Sequence, residues 1–516
     1  MIQVEAFVEA RGWGGAVETI VDGGEGDDRI TARSGGGAAG QTNLLWGRNG
    51  ADVILSDQEA QGAQSPSFRA TLDGGGGRDR LAAVVRAGHE SLNPDVATSL
   101  RGGAGDDALS VSALLTAETF YFPSVVNTLS GGDGADTLRA EIAMTGPIYD
   151  GGSIRVENLL SGGLGADRLQ VVGGLDNILD GGQGADVMIG GTGDDTYYVD
   201  DAGDVTFESG VASGGADVVY SLVDHRLGQG IERLVLLSLA TTGIGNGRDN
   251  EITGNRMANT LHGYGRDDLL SGLGGRDLLY GGDGNDHVIG GDGDDEVKGG
   301  AGDDLLEGGA GNDLVVGGTG ADRMFGGDGQ DLLDGGEGND VIDGGDGIDV
   351  VLGGAGDDRV SGQGEIRGGA GDDWASGDGS VYGDAGDDLL QGSALSGGAG
   401  DDRLESTGDF ANFDGGAGVD TLVIDLAKPA RFVITIESAA DVLEFHGIGD
   451  AGAPGLLDDL DGQATFVYDE FESDFVLVSI GSVQLFFDGI PTETDSFADI
   501  VDDPATQLVV GEDALI

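Results

Sequence analysis

Cysteine is absent from the 516 residues, which excludes a disulfide framework, cysteine-ligated zinc and thiol nucleophiles. Basic charge is scarce. Lys and Arg number 25 against 94 Asp and Glu, a net charge of −69 at pH 7. Such a chain repels nucleic acid and anionic lipid, so neither is an expected partner. Aromatics make up only 5% of the chain, too few for a conventional large core. No stretch reaches 18 apolar residues, so no membrane span is expected. The opening MIQVEAFVEARGWGG has no basic start and no continuous apolar run, and does not read as a secretory signal peptide. Glycine, by contrast, is abundant at 105 residues, without the one-in-three period of collagen. Only order among those glycines separates a disordered polyanion from a fold.

That order is a nonapeptide. From Gly281 to Ser361 nine units follow one another without a slip, as in GGAGNDLVV from Gly308 and GGEGNDVID from Gly335. Each carries Gly-Gly, Gly at position 4, Asp at position 6 and an aliphatic residue or Met at position 8. The position-8 row runs Val288, Val297, Leu306, Val315, Met324, Leu333, Ile342, Val351, Val360. Four degenerate units extend the phase upstream to residue 245, with Asn250 and Asn259 in place of the aspartate. Glycines allow positive backbone angles in a tight turn. The aspartate offers a hard oxygen ligand, and turn carbonyls offer more, a donor set suited to calcium. The last three residues form a short strand with its middle side chain inward. One strand buries little, so such units are stable only when stacked.

The repeats resemble the GGxGxDxUx nonapeptides of the RTX (repeats-in-toxin) calcium-binding family. The resemblance implies an all-β fold, a parallel β-roll or β-solenoid with two nonapeptides per coil and calcium between neighbouring turns on each edge. On that basis Asp268, Asp277, Asp286, Asp295, Asp304, Asp313, Asp322, Asp331, Asp340, Asp349 and Asp358 are expected metal ligands. Beyond Ser361 short and long units alternate, and every short unit lacks the aspartate turn. One edge should therefore keep its ligands through Asp373, Asp388 and Asp402, with a last turn at Asp420.

The N-terminal part has longer coils. Nonapeptide-like turns begin at residues 23, 47, 74, 102, 131, 162 and 181, each flanked by aliphatics such as Leu72 and Leu81. Their expected ligands are Asp28, Asp79, Asp107, Asp136, Asp167 and Asp186. Asp52 is set aside, because Arg48 replaces a turn glycine. An eighth turn follows at Gly190 with Asp195. The next segment, DTYYVDDAGDVTFE from Asp195 and GGADVVYSLVDHRLGQGIERLVL, reads as strands of a widened coil and shows no pattern of chemistry. After Glu405 the glycines thin out, and TLVID, RFVITI, ATFVY, DFVLVSI and VQLFF read as strands of a C-terminal β cap. Asp441-Val-Leu-Glu-Phe445 with Gly447-Ile448, and the end Glu512-Asp513-Ala-Leu-Ile516, resemble RTX C-terminal and type I secretion signals. The expected domains are 1–198 long-coil solenoid with calcium turns on one edge, 199–244 connecting strands, 245–405 regular roll, and 406–516 cap with secretion signal.

Catalytic patterns are missing. No HExxH is present, no serine lies in G-x-S-x-G, and the five histidines, His89, His225, His262, His287 and His446, lack metal-ligand spacing. A basic coil with Arg69, Arg78, Arg80, Arg86 and His89 keeps open a solenoid polysaccharide lyase or epimerase. Outward apolar residues Leu314, Val316, Leu332, Val350 and Leu352 suggest a partly covered face. The expected protein is an extracellular, calcium-binding RTX β-roll, exported by a type I secretion apparatus and folding on calcium outside the cell. Its expected role is structural, at a surface or in a matrix, rather than enzymatic. A calcium-dependent adhesin or glycan binder is the alternative, with the cell surface or self-association as contacts. By the family's geometry, gaps between same-edge turns would hold about sixteen calcium ions.

Overall fold

A computed structural model describes residues 3–10, 16–36, 40–60, 65–88, 93–117, 120–145, 155–209, 215–406, 410–425, 431–435, 442–446, 464–468, 475–480, 483–488 and 507–510. The chain forms two compact units, Met1–Asn255 and Arg256–Ile516. Among the described residues there is no helix; regular structure is strand throughout.

In the first unit each coil is strand, glycine turn, strand. Ser67–Gly76 leads into a turn at Gly77 and returns as Arg80–Ala87. The strand Ser67–Gly76 pairs in parallel with Gly40–Asn49 one coil before and Asp95–Ala104 one coil after. Register is exact in chemistry: Leu45, Leu72, Leu100, Leu129 and Leu160 stack on one sheet. Ile30, Ile54, Leu81, Leu109, Leu138 and Leu169 stack on the other. All eleven are at most 1% exposed, each worth about 1.5–3 kcal/mol of transfer free energy. Strand neighbours are the coils before and after, so each sheet is an open face of a solenoid rather than a barrel wall.

The longer coils also enclose Phe68, Val96, Leu115, Phe120 and Val125. Beside them runs a buried polar row. Thr98 Oγ1 donates to Asn127 Oδ1 (2.6 Å), Asn127 Nδ2 to Asn158 Oδ1 (2.8 Å), and Asn158 Nδ2 to Asn177 Oδ1 (2.6 Å). Stacked identical amides satisfy one another from coil to coil, which lets polar groups occupy the interior.

The second unit is the two-nonapeptide roll. Six-residue strands alternate between two faces, and Leu270, Val288, Leu306, Met324, Ile342 and Val360 stack on one of them. Leu279, Val297, Val315, Leu333 and Val351 stack on the other. These position-8 residues are at most 1% exposed. The outward row is open: Leu332 is 41% and Val350 36% exposed, while Leu314, Val316 and Leu352 are half-buried. The expected cover is not found among the described residues. Beyond Thr421–Asp425 the pairing changes character. Ala464–Tyr468, Phe475–Ile480 and Val483–Asp488 are antiparallel neighbours, and Val483–Asp488 joins Arg431–Thr435 in parallel. Val442–His446 pairs with Gln507–Val510. Asp441, Gly447-Ile448, the Glu512–Ile516 end and His89 lie outside the described residues.

Candidate metal centres

Three glycines of the turn have two different jobs. At positions 2 and 4 the backbone is left-handed, as at Gly282 (φ 128°) and Gly284 (φ 142°). Arg48, Tyr264, Leu273 and Asp384 adopt the same region at φ 72–87° despite their side chains. Position 1 is glycine for space. A Cβ on Gly281 would lie 2.3 Å from Asp286 Oδ2 and 2.8 Å from the carbonyl oxygen of Gly299 in the next coil. A carboxylate oxygen and a main-chain oxygen converge in the same way beside Gly74, Gly102, Gly131, Gly299 and Gly317.

The position-6 aspartates form ladders along the coil edges. One oxygen of each is used: Asp295 N donates to Asp313 Oδ1 and Asp313 N to Asp331 Oδ1, both at 2.8 Å. On one edge of the second unit the row runs Asp268, Asp286, Asp304, Asp322, Asp340, Asp358, Asp373, Asp388, Asp402, Asp420. On the opposite edge it runs from Asn259 through Asp277 and Asp295 to Asp349, where the shortened units begin. The first unit carries a row Asp28, Asp52, Asp79, Asp107, Asp136, Asp167, Asp186, Asp204. Asp52 belongs to this row because Arg48 takes the glycine's backbone angle. Asp204 also joins it, though its sequence lacks the double glycine.

The second oxygen is the informative one. From Asp52 to Asp186 in the first unit's row, and from Asp277 to Asp402 in the second unit's two rows, Oδ2 is buried without a hydrogen-bond partner. None of these residues is more than 3% exposed. Burial, reinforced by neighbouring carboxylates, pushes Asp107, Asp186, Asp304, Asp313, Asp358 and Asp388 up to about 7. Asp322 and Asp402 rise to about 6 by the same cause. A row of dry, unpartnered carboxylate oxygens beside main-chain carbonyls is a donor set that fits a hard cation.

The connecting segment holds a cluster that sequence reading missed. Asp195, Glu208 and Asp217 each place a carboxylate oxygen within 4.8 Å of the others, all buried. They come from three places along the chain, at 195, 208 and 217, with no repeat spacing to announce them. Asp195 Oδ1 receives Asn177 N (3.0 Å) and Nδ2 (2.5 Å), and Oδ2 receives Gly191 N (2.8 Å). Asp217 Oδ1 receives Asp195 N at 2.8 Å. Tyr197 donates its hydroxyl to Glu208 Oε1. Burial pushes Glu208 up to about 8 and Asp217 to about 7.

Among the described residues, His225, His287, Arg69 and Arg86 engage separate partners. His225 is buried against Thr206 and lowered to about 4 by burial. His287 pairs with Glu307 on the surface. Arg69 pairs with Asp95 (2.6 Å) and Arg86 with Asp57 (2.5 Å). Arg80 lines a shallow groove of about 340 Å³ with Arg29 and Val53 on one sheet face.

A family model described as "RTX calcium-binding nonapeptide repeat (4 copies)" matches residues 13–36, 126–141, 171–205 and, in overlapping copies, 244–364. The chain carries RTX calcium-binding nonapeptide repeats. With these ladders it is a calcium-binding β-roll protein. No curated protein matches. Among solved structures it is similar to the crystal structure of extracellular lipase LipA from Serratia marcescens, at 21% identity and a TM-score of 0.15. That match covers 44% of this chain and 40% of the lipase chain.

Proposed function

We propose that this RTX chain is exported unfolded by a type I secretion apparatus, folds on calcium outside the cell, and serves there as a structural, surface or matrix protein rather than an enzyme. The observation that carries the reading is the unpartnered Oδ2 row. The proposed ligands are Asp28 through Asp186 of the first row and the second unit's aspartates from Asp268 to Asp420, with Asp195, whose Oδ2 accepts Gly191 N, as a further ligand outside these rows. Bound calcium would supply the positive charge and the coordination that the Oδ2 atoms from Asp52 to Asp186 and from Asp277 to Asp402 lack. Without it, carboxylates stacked one coil apart repel one another across a dry interior, and the coils come apart. Extracellular sites of this kind work at about 0.1–1 mM, above what cytosol offers. An open polyanion inside the cell suits passage through a narrow channel, and folding outside then follows by mass action. The ladders contain enough adjacent aspartate pairs for about sixteen ions. The domain scheme of long-coil solenoid, connecting strands, regular roll and cap fits this use, with the C-terminal region as the export signal.

Export is tested by expressing the full chain beside a type I exporter. Accumulation in the medium that needs residues 406–516 supports the reading, and retention of the intact chain in the cell opposes it. A second reading, a calcium-dependent glycan binder, is favoured by outward aromatics. His262 and Tyr280 stack at 4.6 Å with planes 1° apart, and Lys298 sits 5.3 Å from the Tyr280 ring. Flat rings on an outer face are a common platform for sugar rings. A glycan array run with and without calcium separates the two.

A further inference from the structure

We propose that Asp195, Glu208 and Asp217 form an interior site for one hard divalent cation, separate from the edge ladders. The ladders use aspartates of one edge at a time. This cluster differs, because Glu208 ends the strand Val205–Glu208, which pairs with Val187–Gly190 on one sheet, whereas Asp195 lies in Asp194–Val199 on the other. Glu208 therefore closes the site from across the coil.

Three observations support it. Glu208 is 8% exposed, and its Oε2 is buried and receives no hydrogen bond, while Oε1 is held by Tyr197. A carboxylate fixed by one oxygen with the other dry and free is arranged to give that oxygen to something else. Gly190 then shows the cradle. A Cβ there would lie 2.0 Å from Tyr197 Oη, 2.3 Å from Glu208 Oε1 and 2.6 Å from Asp195 Oδ2. Finally, the Asn127–Asn158–Asn177 amide row ends on Asp195, whose two carboxylate oxygens are held in place by Asn177 N, Asn177 Nδ2 and Gly191 N. None of the three acids has a Lys or Arg ion-pair partner among the described residues. Arg248 pairs with Glu232 at 3.6 Å, and Glu232 accepts Asp217 N at 3.1 Å. Three buried acids whose oxygens converge within 4.8 Å, with no protein cation paired to them among the described residues, call for a divalent ion with all-oxygen preference, which is calcium-like chemistry.

The test uses the full chain folded in calcium. Crystals soaked in terbium should show an anomalous peak about 2.3–2.6 Å from Glu208 Oε2, whatever the edges show. A clear map with no peak inside the cluster overturns the proposal, and edge peaks are scored apart, so failure of the ladder reading remains distinguishable. In solution, Glu208→Gln should bind one calcium ion fewer per chain than the parent. An unchanged stoichiometry in a folded Glu208→Gln also overturns it. If that variant does not fold, the anomalous map of the parent decides.

Discussion

At the scale of single residues the turn glycines are not interchangeable. Gly281→Ala sets a methyl against Asp286 Oδ2 and a main-chain carbonyl, and should cost about 1–3 kcal/mol in calcium. Gly265→Ala, at position 3 of its unit and with the nearest neighbour of its Cβ at 3.6 Å, should cost under about 1 kcal/mol. Equal losses in thermal melts of the two variants would contradict this spatial reading. Leu273 stands 50% exposed at φ 72°, where glycine is the relaxed choice. Leu273→Gly should therefore stabilise the roll by about 1 kcal/mol, read as a higher denaturation midpoint. Asp313→Asn has a sign that depends on calcium. With calcium the variant loses a ligand and roughly 1–3 kcal/mol. In chelator it removes a buried, repelled charge and should be no less stable than the parent. Position-specific needs of this sort were legible in the nine regular units, where Gly, Asp and aliphatic positions repeat. They were not legible at Arg48, which argued against Asp52 until its backbone angle was seen.

At the scale of elements, the strand rows and aspartate ladders are one construction viewed from inside and from the edge. Position 8 gives the aliphatic rows, and the alternation of long and short units after Ser361 gives the edge on which Asp358, Asp373, Asp388 and Asp402 line up. Both follow from period alone. Glu208 and Asp217 had no period to betray them, since their meeting depends on how a widened coil folds across its interior. Asp204 offered one signal, its spacing of 18 residues from Asp186. The ladders also set a pH response in the absence of metal. Their folded-state carboxyls lie above the ordinary range, at about 6 to 7 for Asp304, Asp313, Asp322 and Asp358. Raised carboxyls favour the fold when protonated, so this contribution is full below the ordinary carboxylate range and is lost as pH rises through 6 to 7. In chelator, β structure should accordingly be recovered on acidification toward about pH 5 and lost by about pH 8. Circular dichroism at fixed ionic strength reads it, and no gain of β signal on acidification would contradict the buried-carboxylate ladder.

At the scale of the whole molecule, the charge of −69 and the burial of so many ionised carboxylates above neutral pH call for a counter-ion. About sixteen divalent ions would leave the folded chain near about −37, still acidic enough to stay soluble and apart from other polyanions. With aromatics scarce and cysteines absent, the proposed function assigns stability to repetition and bound metal. The most direct measurement is far-ultraviolet circular dichroism of the full chain at pH 7.5 during a calcium titration from chelator to millimolar. A disordered spectrum in chelator, turning cooperatively to β structure with a midpoint of about 0.1–1 mM, is the predicted result. A β spectrum already complete in chelator and unmoved by calcium would contradict calcium-coupled folding.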